Sequence, residues 1–162
     1  MAKGGKRKAS PGDVATNRSA GFRYNLLERF EAGLVLTGTE VKSLRDGQAQ
    51  LKDAYVTIRD DEAWLVGSYI APYAAASREN HTPEHDRKLL LHRSEIVKII
   101  NATREKGLTV VPTRIYFAGD VRSRAKVEIA IAKGKDMWDK RESIKARDTA
   151  RETAREVRDY TR

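Results

Sequence analysis

The chain has 162 residues, 40% of them hydrophobic, with no cysteine and a formal net charge of +9 at pH 7. That length suits one domain with a real core plus extensions, and the lack of cysteine excludes disulfides, thiolate metal sites and a cysteine nucleophile, with the reducing cytoplasm as the expected compartment. No stretch approaches the roughly 20 apolar residues of a membrane-spanning helix, and the basic Lys3, Lys6, Arg7 and Lys8 are not followed by the apolar run of a signal peptide.

Most of the excess charge sits at the ends: residues 1–21 carry five basic side chains against one acid, and residues 133–162 carry ten against seven. Basic arms on a nearly neutral body suit nucleic acid, because each Lys or Arg set on a phosphate releases condensed counterions. Residues 1–16, rich in Lys, Gly, Ser and Pro, hold too few apolar groups to offset the entropy of ordering and predict a disordered basic arm.

From Phe22 the pattern changes. Tyr24, Leu26, Phe30, Ala32, Leu34 and Leu36 share one parity, interrupted at Glu28, which predicts a long half-buried strand with a bulge near Glu28. A short helix follows, with Thr39 as the expected N-cap, Glu40 in its first turn, Val41 and Leu44 on one face and Gly47 at its end. Strands over 52–59 and 62–70 meet at Asp60-Asp61, which predicts a tight hairpin. Residues 71–86 lack periodicity, hold two prolines and read as a long surface loop. After Leu89-Leu90-Leu91, Ser94 is the expected cap of a helix whose Ile96, Ile99, Ile100 and Thr103 share a face, with Gly107 as terminator. Two closing strands over 108–118 and 121–132 turn at Gly119-Asp120, with Val127, Ile129 and Ile131 facing opposite to Lys126, Glu128 and Ala130. Five or six antiparallel strands with two short helices are too many for one open sheet. The expected fold is mainly β with α: a small closed antiparallel β-barrel of the oligonucleotide-binding kind over residues 17–132, with flanking helices.

The tail, residues 133–162, contains "ARDTARETAREV", a four-residue unit repeated three times over residues 146–157. In a helix, a period of four lags the turn by about 40° per repeat, so Arg147, Arg151 and Arg155 form a slanting stripe beside an acidic one. Few large apolar groups accompany them. The tail therefore reads as disordered or conditionally helical: either a merely solvated charged helix, or a segment that folds when phosphates or a partner groove engage its arginines.

Catalytic chemistry is not indicated. His81-Thr82-Pro83-Glu84-His85 spells H-x-x-E-H, a zinc-hydrolase signature that requires both imidazoles on one helical turn. Pro83 opposes a helix there, so no metal site, cofactor or catalytic residue is expected.

In order and spacing, "FEAGLVLTGTEVKSLRDGQA" (30–49), "RKLLLH" (87–92), "VVPTRIYF" (110–117) and "AKGKDMWDKR" (132–141) resemble the bacterial small protein B family, also called SsrA-binding protein. The resemblance covers about residues 17–141. It implies no catalytic activity, a barrel that binds transfer-messenger RNA (tmRNA), and a tail that is disordered when free and helical in the ribosomal message channel. It further implies delivery of tmRNA to ribosomes stalled on messages lacking a stop codon, with elongation factor Tu as co-partner, and the chain is expected to act as a monomer. The RNA-binding set would then include Asn17, Arg18, Glu31, Glu40, Val41, Lys42, Lys88, Leu90 and His92, with Lys126 and Lys133. Of these, Val41 and Leu90 also suit the core, Glu40 its helix N-terminus, and Glu31 either a base edge or sugar hydroxyl or a surface salt bridge. In the tail, Gly134, Lys135, Asp139, Lys140 and Arg141 match the family block expected at the 16S ribosomal RNA decoding centre. Trp138 would stack on a base there, and Arg147, Arg151 and Arg155 would follow along the message channel. Departures from the family pattern stand at Gly21-Phe22, His85 and Asp136, each replacing a basic residue.

Overall fold

The structure is a computed structural model and describes residues 12–76, 78–105, 107–119 and 124–160. Most of the expected N-terminal arm (1–11), Asp120 of the expected turn, 121–123 at the start of the expected last strand and 161–162 of the tail lie outside the described residues.

Among the described residues, nine strands and four helices follow in chain order: β1 (Asp13–Thr16), α1 (Arg18–Arg23), β2 (Tyr24–Leu34), α2 (Gly38–Arg45), β3 (Ala49–Gln50), β4 (Tyr55–Arg59), β5 (Glu62–Val66), β6 (Tyr69–Ile70), β7 (Arg87–Leu90), α3 (Arg93–Thr103), β8 (Leu108–Phe117), β9 (Ala125–Gly134) and α4 (Met137–Tyr160). Antiparallel pairing runs β8-β4-β5-β7-β2-β9, and β9 pairs back onto β8. The ring is closed, which removes the open edges of a flat sheet.

The alternation in β2 does what its pattern dictates. Phe30 and Ala32 point inward and are buried, Arg29 and Glu31 point outward, and the register slips between Leu26 and Arg29, at the Glu28 interruption. Asp60 and Asp61 both take positive φ, 50° and 58°, the backbone of a two-residue hairpin turn joining β4 to β5. Inside the ring, Val56, Leu65, Leu89, Ile115, Val127 and Ile129 pack with Leu44 of α2 and Ile99 of α3 into one core. Full burial of a side chain such as Ile99 contributes about 1.5–3 kcal/mol.

The structure corrects several expectations. Residues 13–16 form β1 on the edge of β8 rather than the end of a disordered arm, with Ala15 opposite Ile115. The strand expected from Phe22 begins at Tyr24, because 18–23 form α1. That helix lays Ala20 on Val111 and Ala132, a second small cluster outside the barrel, which is why the outward-facing Ala132 of β9 is buried. Both expected N-caps move two residues earlier. Thr37 caps α2, its amide donating to Glu40 Oε2 at 2.8 Å, and His92 caps α3, its amide donating to Glu95 Oε2 at 2.9 Å.

Candidate nucleic-acid interface

Antiparallel register decides which side chains share the outer surface. On β7, Lys88 and Leu90 alternate with the buried Arg87 and Leu89. Lys88 stands across from Trp64, and Leu90 across from Gly33 on the other side. On β2 and β9, Glu31 lies opposite Glu128 and Gly33 opposite Lys126. Lys126 in turn faces Tyr116 of β8.

This register brings four of the expected residues together. Glu31, Lys88, Leu90 and His92 line one open hollow of about 420 Å³, with Leu91 and Ile96 adding apolar surface and Asp61, Glu62 and Glu95 adding acids. Leu90 is 55% exposed while its neighbour Leu89 is 2% exposed, so Leu90 is a surface residue and not part of the core. Lys88 is paired to Glu62 at 2.6 Å, and both remain partly exposed. The hollow carries more carboxylates than cations. It is suited to base edges, sugar hydroxyls and apolar contact rather than to a row of phosphates.

Glu31 makes the surface salt bridge that competed with the RNA reading: Lys126 donates to Oε1, and the Tyr116 hydroxyl donates to Oε2. These two hydrogen bonds, Lys126 first, hold the Glu31 carboxyl below the usual carboxylate range despite slight burial. A carboxylate has acceptor capacity for further donors, and half of the Glu31 side chain is exposed, so the fixed charge stays available on the surface. Tyr116, driven by burial and then by the Glu31 bond, has its hydroxyl pushed up to about 12. The Arg114 guanidinium lies 4.4 Å from the Tyr116 ring centroid. Tyr116 and Arg114 were not singled out from the sequence, although they share the outward parity of β8.

The other expected residues lie elsewhere. Asn17 lines a second hollow with Ser19, Arg23, Tyr24 and Tyr55, and its amide nitrogen donates to the Pro112 carbonyl at 3.0 Å. Arg18 and Lys133 are exposed. Lys42 lines a third hollow with Thr37, Thr39, Asn80 and His81, its ammonium 5.4 Å from the Tyr73 ring centroid, and Val41 is half-buried. Glu40 is a correction. It is fully buried and bonded to Arg87 at 2.9 Å, so it lies beneath the surface rather than on it.

Pro83-Glu84 form a turn, and the two histidines of H-x-x-E-H point to different partners: His81 to Thr39 and the Ile70 carbonyl, His85 to Glu40 and the Asp86 carbonyl. Among the described residues no group of three or more His, Asp or Glu could hold a metal. No helix among them is long and apolar enough to cross a membrane.

At the C-terminal end β9 runs through Lys133 and Gly134, the Lys135 amide bonds the Arg23 carbonyl at 3.0 Å, and α4 then continues for 24 residues. Such a helix is about 36 Å long. At its base Lys135 Nζ donates to the Gly21 carbonyl and to Ser143 Oγ, and the Arg147 guanidinium lies 5.6 Å from the Phe22 ring. Trp138 is 69% exposed. Asp139 and Arg141 are exposed, Lys140 is half-buried, and Arg151 and Arg155 are exposed along the rod.

The family model described as SmpB protein matches residues 14–159. An SsrA-binding protein of Oleidesulfovibrio alaskensis is 54% identical over 153 residues, covering 94% of this chain and 97% of its own. An SsrA-binding protein of Sulfurihydrogenibium is 55% identical over 139 residues, covering 86% of this chain and 90% of its own. A chain in a solved structure described as "tmRNA-SmpB: a journey to the center of the bacterial ribosome" superposes with a TM-score of 0.64 at 43% identity, over 75% of this chain and 84% of that one.

Proposed function

The chain belongs to the SmpB family, and from that membership we propose that it binds tmRNA and carries it to ribosomes stalled on messages lacking a stop codon. Its work is RNA binding, not catalysis. The barrel holds the transfer-RNA-like part of tmRNA, with the Glu31, Lys88, Leu90 and His92 hollow as its central contact. Asn17, Arg18, Lys42, Lys126 and Lys133 add contacts around the body, and Val41 supports its helix from a half-buried position.

The tail probes the empty message channel. Gly134 to Arg141 lie at the decoding centre with Trp138 stacked on a base, and Arg147, Arg151 and Arg155 engage ribosomal RNA through charge-assisted hydrogen bonds. A rod about 36 Å long fits only where no message occupies the channel. The protein acts as a cytoplasmic monomer, with elongation factor Tu on the same tmRNA.

The observation that carries this reading is the convergence of Glu31, Lys88, Leu90 and His92, from β2, β7 and the start of α3, on one hollow, while α4, among the described residues, is held to α1 only near its base and is exposed along the rest of its length. The test is truncation after Lys135, because Lys133 and Gly134 still pair with β2 and a cut at 133 would damage the barrel itself. Loss of residues 136–162 should abolish tagging on stalled ribosomes and leave tmRNA affinity within about twofold. Equal loss of both overturns the division of labour, and displacement of tmRNA by excess unrelated RNA overturns its specificity.

A further inference from the structure

The hairpin of β4 and β5 turns one row of side chains outward. Ala63 and Leu65 of β5 are fully buried, so the residues that alternate with them, Glu62, Trp64 and Val66, face out of the barrel, where they are half-buried. Their partners on β4 are, in the same order, Arg59, Thr57 and Tyr55. Tyr55 is 47% exposed. On the other side of β5, Lys88 of β7 stands across from Trp64. The bulkiest kind of aromatic side chain thus sits on the outer face of the barrel and not in its core.

Two cations flank the indole. The Arg59 guanidinium lies 5.8 Å from the Trp64 ring centroid, within reach of the ring quadrupole, and Lys88 comes from the neighbouring strand. Each is held by one carboxylate, Arg59 by Asp86 at 2.5 Å and Lys88 by Glu62 at 2.6 Å, and all four side chains are between 38% and 50% exposed. Ion pairs this exposed are weak, so a phosphate competes for either cation. The row also joins two hollows. Glu62 and Lys88 line the one that holds Glu31, Leu90 and His92, and Tyr55, at the far end of the same hairpin face, lines the one that holds Asn17 and Arg23. From Glu62 to Val66 is about 13 Å of strand. Trp64 lies midway.

We infer that the outer face of β4, β5 and β7 is a stacking platform for unpaired RNA, and that one base from a loop of the transfer-RNA-like part of tmRNA stacks on Trp64 as the strand passes between the two hollows. This rests on the tmRNA reading above and adds a contact to it. The base lays its apolar face on the indole, and Arg59 and Lys88 meet the phosphates beside it. Paired bases are already stacked on one another, so the segment that crosses this face is single-stranded. An indole takes any base, because every base has a π-face. Trp64 therefore adds affinity without sequence preference, and the hollow around Glu31 is left to read base edges and sugar hydroxyls.

The experiment has two arms. The sequence holds two tryptophans, so Trp138→Phe in the full-length chain leaves Trp64 as the one reporter. Titration with the transfer-RNA-like domain of tmRNA should quench its emission. In the second arm, Trp64→Ala should weaken affinity for this RNA about tenfold and Trp64→Phe by less than about threefold, while Trp64→Leu, which fills apolar space without a π-face, should bind as weakly as Trp64→Ala. Bound RNA with unchanged Trp64 emission overturns the inference, and so does a Trp64→Leu variant that binds as tightly as Trp64→Phe. The emission arm keeps Trp64 in place and decides the matter if Trp64→Ala fails to fold. Failure of the unaltered protein to bind this RNA overturns the tmRNA reading instead. An oligouridine of about ten nucleotides at low salt then decides whether the face takes unpaired bases: quenching of Trp64 supports the platform, and its absence overturns it.

Discussion

Gly33 stands directly across from Leu90 in the β2–β7 pair, and a β-carbon added to Gly33 would meet the Leu90 β-carbon at 3.2 Å. The contact is with the root of the Leu90 side chain, not its flexible end, so the two strands would have to separate by a few tenths of an ångström. Gly33→Ala is expected to shift Leu90 and lower tmRNA affinity about threefold to tenfold, at a stability cost of about 1 kcal/mol, within the range of overpacking. Paired filter-binding and thermal melts check this. Unchanged affinity would remove Leu90 from the interface.

Tyr116 gives a prediction at alkaline pH. Its hydroxyl is held at about 12 in the fold against 10.0 for the free side chain, so the fold favours the protonated phenol. A raised value contributes stability that is complete below pH 10 and lost as pH rises toward 12. Denaturant midpoints measured across that interval should fall for the unaltered protein and fall less for Tyr116→Phe. Glu31→Gln, which removes the charge opposing ionisation, should also flatten the curve.

The barrel was legible because its signals are local and redundant: alternation in β2 and β9, a bulge at the one residue that broke the alternation, and an Asp-Asp turn. α1 was not, since six residues are too few to show helical periodicity and Phe22 extended the parity of the strand beyond it. The caps were misplaced by two residues because Thr37 and Thr39, and His92 and Ser94, compete at each helix start. Glu40 and Glu95, each three residues after the true cap, held the deciding signal. The convergence of Glu31 with Lys88, Leu90 and His92 depends on pairing between β2 and β7, more than fifty residues apart, which no local pattern encodes. Burial of Arg87 was equally hidden, as nothing separates it in sequence from the surface lysine beside it.

Arg87 should dominate stability. Arg87→Met leaves Glu40 buried without its guanidinium and strands the Ser68 and Pro83 carbonyls, to which Arg87 donates at 2.9 Å each, an expected loss of about 3–5 kcal/mol. Glu40→Gln in the same background should cost much less than it does alone, because the uncompensated charge is already gone. Burial alone would push the Glu40 carboxyl up, but the Thr37 amide, Arg87 and His85 outweigh it and hold it below the usual range. The unaltered protein should lose the Glu40 contribution on acidification: a lowered carboxyl contributes stability above its ordinary value of 4.5 and ceases to as pH falls through its folded value. Chemical denaturation of the single and double variants at pH 7 and in acid measures both effects.

The threonines of the tail repeat make the last test. Thr149 and Thr153 each donate a side-chain hydrogen bond to the carbonyl four residues back, Lys145 and Thr149, at 3.0 and 2.9 Å. Threonine lies well below alanine in helix propensity, and such back-bonding slightly weakens a helix, so these positions keep the repeat marginal while Ala, Arg and Glu favour the helix. Replacing both with Ala should stabilise α4 by about 0.5–1.5 kcal/mol and raise far-ultraviolet helical signal relative to the unaltered chain, with the protein cut after Lys135 as the baseline. If the tail must order itself as it enters the channel, the double variant should also engage ribosomes more tightly, since less ordering entropy remains to be lost. A rise in helicity with no gain in ribosome affinity would mean that the tail binds in another shape.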